Sequence, residues 1–256
     1  MKKRQGSGYF VTDLQRIFRK KETYIGIAGV TAALFFSINA NPQGTVIDDF
    51  LYGTYGAGFV LAFVFCCMSY GTVYSEELEN HYIRYAVSRG GLKRYVAAKT
   101  AAIFLGAVWV MGAGCVLFGI LTSLGKPWMD ENIHNELIKS GGYFWLAEKK
   151  CYILWILAYG LQWGLLAGAL SLTAAFVSLF ITNRLLVLAV PILCYQVITE
   201  VSESFKTAMW SIQSVFDARY RMFGSDGKMI LWAMGLSFSA AVILGWVSYK
   251  RLKKRM

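Results

Sequence analysis

Residues 97–124, AAKTAAIFLGAVWVMGAGCVLFGILTSL, decide the fold class. Beyond Lys99 near its start the stretch holds no acid or base. As a helix, a run of 18 or more apolar residues crosses a hydrocarbon core about 30 Å thick. Comparable stretches recur at about 24–41, 52–75, 151–181, 185–200 and 228–249. Composition agrees: 56% of the 256 residues are hydrophobic and 16% are charged, against roughly 25% charged in soluble globular chains. Mean hydropathy is +0.46. The expected fold is an all-α polytopic membrane protein, one transmembrane domain over residues 1–256 with six spans. No soluble domain and no internal repeat are expected. The fourth span is long enough to require tilt or projection. The fifth carries Pro191 near its middle, so a broken or kinked helix is expected there.

A formal charge of +11 invites a nucleic-acid reading, but the basic residues sit in short segments beside apolar runs. That pattern sets membrane topology. The N-terminal segment, the connection after span two with Lys99, the Asn183–Arg184 turn and the C-terminus hold 18 of the 26 Lys and Arg. The three remaining connections hold eight, balanced by ten acids. Both termini are therefore expected on the cytoplasmic side of a bacterial-type inner membrane, which an even number of spans also requires. No nucleic-acid partner is expected.

Residues 1–23 place Phe10, Leu14, Ile17 and Phe18 at helical spacing, with Asp13, Arg16 and Lys20 assigned to the opposite face. This predicts an amphipathic interfacial helix with its basic side toward anionic lipid. A signal peptide would carry a shorter charged region before its apolar core, so Tyr24–Ile38 reads as the first span. Residues 201–216 set Val201, Phe205, Met209, Ile212 and Phe216 on one face. They read as a re-entrant helix at the outer mouth or as a surface helix capping the bundle. In 125–150, Trp128, Phe144 and Trp145 suit the interfacial aromatic belt.

Enzyme signatures are missing, and neither a catalytic residue nor a metal site is expected. His81 and His134 fall in separate connections. Gly119–Lys126, GILTSLGK, has its glycines one residue too far apart for a phosphate loop, and Pro127 stands where Ser or Thr would hold magnesium. Cys66, Cys67, Cys115, Cys151 and Cys194 lack metal-ligand spacing and read as free thiols. No acid or base lies firmly inside a span. Tyr70, Tyr74, Tyr159, Gln162, Tyr195 and Gln196 are the polar candidates for a transport pathway, or for hydrogen bonds between helices. Gly160, Gly164 and Gly168 form a small-residue stripe for close helix packing, either static or shifting during transport.

The most informative segment is 75–99, SEELENHYIRYAVSRGGLKRYVAAK. Span two ends in Glu76, Glu77 and Glu79. A short helix follows with Tyr82, Ile83 and Tyr85 to Val87 as its apolar part and Arg84 and Arg89 as charges, and Gly90–Gly91 breaks it. A bare topological loop needs far fewer residues. Residues 76–95 thus read as a protrusion offering aromatic and charged groups to a partner protein.

This segment resembles the first cytoplasmic connection of ABC-2 type transporter permeases. There an acidic helix end precedes a short coupling helix, a Ser-Arg turn and a Lys entering the third helix. Glu76, Glu77, Glu79, Ile83, Arg84, Ser88, Arg89, Tyr95 and Lys99 stand at matching places. His81 departs from the small residue common there, and Gly90–Gly91 from a frequent proline. The order of elements along the whole chain is also similar. The resemblance implies the membrane subunit of an ABC exporter, possessing no ATPase site or cofactor of its own. Its partners would be two copies of a separately encoded ATPase carrying ATP and magnesium, and a second, identical permease chain. The cargo would be hydrophobic or amphipathic, as in peptide export or bacteriocin immunity. Glu76, Glu77, Glu79, Tyr82, Ile83, Arg84 and Arg89 would couple the chain to the ATPase. A nucleotide-independent binding module or channel is the alternative.

Overall fold

The computed structural model describes residues 6–38, 44–129, 141–204, 208–221 and 223–255, and every regular element among them is helical. The main helices are α1 (Gly6–Arg19), α2 (Lys21–Ile38), α3 (Val46–Tyr55), α4 (Val60–Met68), α5 (Val73–Glu79), α6 (Tyr82–Gly90) and α7 (Leu92–Ser123). They continue as α8 (Phe144–Glu148), α9 (Tyr152–Val177), α10 (Arg184–Ser204), α11 (Ile212–Phe216) and α12 (Asp226–Arg255). Among the described residues, five stretches are long and apolar enough to cross a membrane: Ala57–Glu79, Leu92–Ser123, Tyr152–Val177, Arg184–Ser204 and Asp226–Arg255. These fit a multi-pass membrane protein. α2, expected as the first span, has 18 residues and begins with Lys21 and Glu22, which dilute its apolar character.

Several expected boundaries move. The second apolar stretch begins at Ala57 rather than residue 52, because Gly56 adopts an extended conformation that separates it from α3. α7 begins five residues early, at Leu92, and α12 continues through the basic residues to Arg255. α10 runs through Pro191 without a break, as helices with well-packed or solvated neighbours tolerate. The single helix expected over 201–216 does not form. α10 ends at Ser204, Ser211 is extended, and α11 begins at Ile212. Ile212, Val215 and Phe216 are buried, whereas Val201 and Met209 are exposed. Phe205 lies outside the described residues, as does His134.

α7 and α9 form the central pair, with α2 and α4 packed beside them. The glycine stripe of α9 faces α7. A Cβ on Gly160 would lie 2.9 Å from the Cys115 Cβ, one on Gly164 3.1 Å from the Val108 Cα and carbonyl oxygen, and one on Gly168 2.7 Å from the Phe104 ring. Only residues without side chains let the two backbones come this close. Two large core parts form, beside a small third one of Cys67, Ala174 and Val187. One part gathers Phe50, Phe63, Phe118, Trp155, Tyr159 and Trp163, and the other gathers Ile17, Tyr70, Ile83, Tyr95 and Leu172.

The four segments that together hold 18 of the 26 Lys and Arg converge at one end of the bundle, here the basic end. The Tyr9 hydroxyl of α1 donates to the Ala86 carbonyl of α6 (3.0 Å), Arg184 lies 3.7 Å from Glu76, and Leu252 is buried in the core part containing Ile17. At the opposite end, buried Asp217 accepts two bonds from the Arg219 Nε (2.8 and 3.0 Å), and the Arg219 Nη1 donates to the Leu51 carbonyl (3.2 Å). Burial pulls the Arg219 guanidinium down, but hydrogen bonding and the charge of Asp217 outweigh it and hold its pKa above the ordinary value. Lys126 pairs with Asp49 (2.6 Å), and the Trp128 and Tyr152 rings stack at 5.6 Å. These contacts close that end over α3.

The α7–α9 seam leads to a direct test. Gly164→Leu should cost about 1–3 kcal/mol, because α7 main chain cannot yield without separating the helices. The same change at Gly235, which is exposed with nothing within 4 Å of its Cβ position, should leave stability unchanged or raise it. Thermal unfolding in detergent compares the two.

Candidate functional site

The segment singled out in the sequence folds as two short helices joined by a tight reversal. α4 ends at Met68, a turn over 69–72 follows, and α5 carries the chain to Glu79. His81 then takes a left-handed conformation (φ 54°) and starts α6. The predicted break occurs where expected: Gly91, at φ 80°, separates α6 from α7 in a conformation open mainly to glycine. Ile83 and Ala86 of α6 are buried, so this helix is seated on the bundle instead of standing free. Tyr85 (53% exposed) and Ser88 form its open side, preceded along the chain by exposed Glu79, Asn80 and His81.

Beneath α6 lies a buried cluster of charges. Lys99, 1% exposed, reaches from the second turn of α7 to Asp13 on α1 (2.8 Å) and Glu77 on α5 (2.5 Å). Its ammonium also meets the Tyr70 hydroxyl (2.9 Å), which donates to Asp13 (2.7 Å). Tyr95 donates to the other oxygen of Glu77. Arg16, partly exposed, stands 3.6 Å from Glu77 and 3.8 Å from Asp13, and its guanidinium lies over the Tyr82 ring. Two acids thus meet two bases; Tyr95 takes the second oxygen of Glu77, and Tyr70 shares with Lys99 the same oxygen of Asp13. Burying ions is costly unless pairing is this complete. The result ties α1, α5 and α7 at one point, directly under α6.

The remaining predicted coupling residues divide by burial. Glu76 accepts from Thr72 (2.9 Å) and pairs with Lys20 (3.1 Å), so it anchors α5 to the junction of α1 and α2 and to the start of α10. Glu79 is exposed, and Tyr82 is half-buried beneath Arg16. Ile83 serves this chain's own core and is not open to a partner. Arg84 and Arg89 lie on α6, but their side chains fall outside the described residues.

The six candidate pathway residues do not surround one channel. Tyr70 and Tyr74 are buried at the basic end, and Tyr159 and Gln162 are buried in the other part of the core. Gln162 accepts from the Tyr143 hydroxyl (2.6 Å) and donates to the Val215 carbonyl (2.9 Å), which joins α9 to α11. Tyr195 packs against Phe63 at 5.0 Å between ring centroids, and Gln196 is exposed. For Gln162 and Tyr70 the structure favours bonding between helices.

The expectation that no charge lies inside an apolar helix is corrected by Lys99 and Glu77, both within candidate spans and both buried. Asp13 is corrected too, since it faces the protein rather than lipid or water. Its signal was present: Phe10, Asp13, Leu14 and Ile17 fall at i, i+3, i+4 and i+7, a single helical face.

Lys99→Met should strand Asp13 and Glu77 and cost about 3–5 kcal/mol. Combining it with Asp13→Asn and Glu77→Gln should recover most of that loss in thermal unfolding. Additive losses would mean that the groups do not act as one network. No protein-family model, curated protein or solved structure matches this chain, so the resemblance to ABC-2 permeases rests on its own residues and their arrangement.

Proposed function

We propose that the chain is the membrane-spanning subunit of an ABC-type exporter, working with a separate ATPase. In this reading α2 is the first of six spans, α1 lies at the cytoplasmic interface, and both termini face the cytoplasm. The observation that carries the reading is the placement of α6. It is a short helix with an aromatic open side, seated on the ion cluster that binds α1, α5 and the 32-residue α7. A push on α6 therefore reaches a long span through Tyr95, Glu77 and Lys99 without passing through flexible chain. Convergence of four basic segments at that same end supports a cytoplasmic location for it. The exposed apolar side chains of α10 and α12, among them Leu193, Val197, Phe238 and Val242, suit lipid or a second permease chain. ATP and magnesium would be held by the partner, and the cargo would be hydrophobic or amphipathic.

Two measurements test this. The tagged chain, extracted in detergent from cells that produce it naturally, should bring down a polypeptide that hydrolyses ATP. Tyr85→Ala should reduce recovered ATPase activity about tenfold or more, as loss of an aromatic anchor does at an interface. Tyr220→Ala, at an exposed tyrosine of the opposite end, should change nothing. Recovery of the chain without any ATPase would favour a channel or binding module.

Topology is read separately. Cys151 is exposed at the end away from α6. An impermeant thiol reagent should label it from outside right-side-out vesicles. Ser88→Cys in a Cys151→Ser background should stay protected until the membrane is opened, and the reverse pattern would invert the orientation.

A further inference from the structure

A cavity away from the ion cluster lies on the flank where α12 crosses α7. It measures about 720 Å³, within the range of about 300–1,000 Å³ typical of ligand sites. The helices touch through small groups, with the Gly245 Cβ position 3.1 Å from the Thr100 hydroxyl. Beside that contact, Ala97 and Ala101 leave a slot walled by Phe104, Phe238, Val242 and Trp246. Phe238, Val242 and Trp246 are each more than half exposed, so the slot opens sideways.

Its two ends differ. At the basic end the lining includes Lys93, which is exposed, and Tyr249; the next residue, Lys250, lies with its ammonium 3.5 Å from the Trp246 ring centroid. The other end finishes at Leu105 and Phe238, with no charged residue in the lining. From Lys93 to Leu105 a helix rises roughly 18 Å, close to half of a hydrocarbon core about 30 Å thick. A slot one leaflet long, apolar inside and cationic at its mouth, matches one kind of molecule in shape and charge.

We propose that this slot binds an anionic phospholipid of the leaflet at the basic end, one acyl chain between α7 and α12 and the phosphate at Lys93. The assignment rests on the membrane reading above but not on the exporter reading. Basic pockets between membrane helices on the cytoplasmic side recognise anionic headgroups in this way.

The test titrates the detergent-purified full chain with phosphatidylglycerol or phosphatidylcholine and counts bound lipid by native mass spectrometry. Wild type should retain one phosphatidylglycerol with about fivefold or greater preference over phosphatidylcholine, as one lysine at a headgroup provides. Lys93→Gln should bring the two lipids to parity. Ala97→Phe, at an exposed lining position, should fill the slot and reduce retention of both while thermal unfolding is unchanged. Ala101→Phe repeats the block from deeper in the slot. Equal retention of both lipids by wild type, or unchanged retention in the blocked variants, would overturn the proposal. So would a dimer that the blocked variants dissolve, since a second copy would then occupy the slot. Resistance of the chain to alkaline extraction from membranes reports on the membrane reading independently.

Discussion

The ammonium of Lys99 is the point on which the basic end depends. It is held by carboxylates from α1 and α5, which approach α7 from different directions, and it is nearly sealed from solvent. Charges buried this deeply cannot be separated cheaply, and the pairing survives only while all three helices keep their places. α6 has few residues of its own in the core, but it sits above this fixed point and inherits its rigidity. The geometry is that of a lever resting on a pinned joint.

The centre of the bundle is built on different physics. The α7–α9 seam has no charges, and its closeness comes from missing side chains at Gly160, Gly164 and Gly168. Van der Waals contact between backbones favours one spacing strongly but resists sliding less than an ion pair does. The chain therefore combines an electrostatic joint at one end with a smooth apolar contact at the middle. Beyond it, aromatic packing and the Asp217–Arg219 pair close the far end.

Sequence alone made the helical class legible, because charge-free runs of membrane length have few other uses. It also located the α6 segment and its glycine break, where two glycines followed a short amphipathic stretch. The glycine stripe that lies against α7 was also visible in it, since a period of four is local information. What it missed was long-range. Asp13 fits a polar face as readily as an apolar one until its partner, 86 residues away, is known. Lys99 sat at the edge of an apolar run and read as topological charge. The proposed pathway tyrosines were selected by residue type, and type does not distinguish a lining group from one bonded to the next helix. The helix expected over 201–216 failed because periodicity counts side chains and ignores the extended backbone at Ser211.

The separation of Asp13 and Lys99 also has a meaning in time. At roughly 5–20 residues per second, a ribosome adds Lys99 about 4–17 s after Asp13. Throughout that interval α1 carries, on the side it will finally bury, an acid whose buried partner has not been made and which has only Arg16 of the same helix beside it. Such a helix gains little by docking early and remains in water or among headgroups, where the charge is solvated. Its docking is thereby postponed until the third long helix has begun to emerge, so α1 is fixed well after it is made.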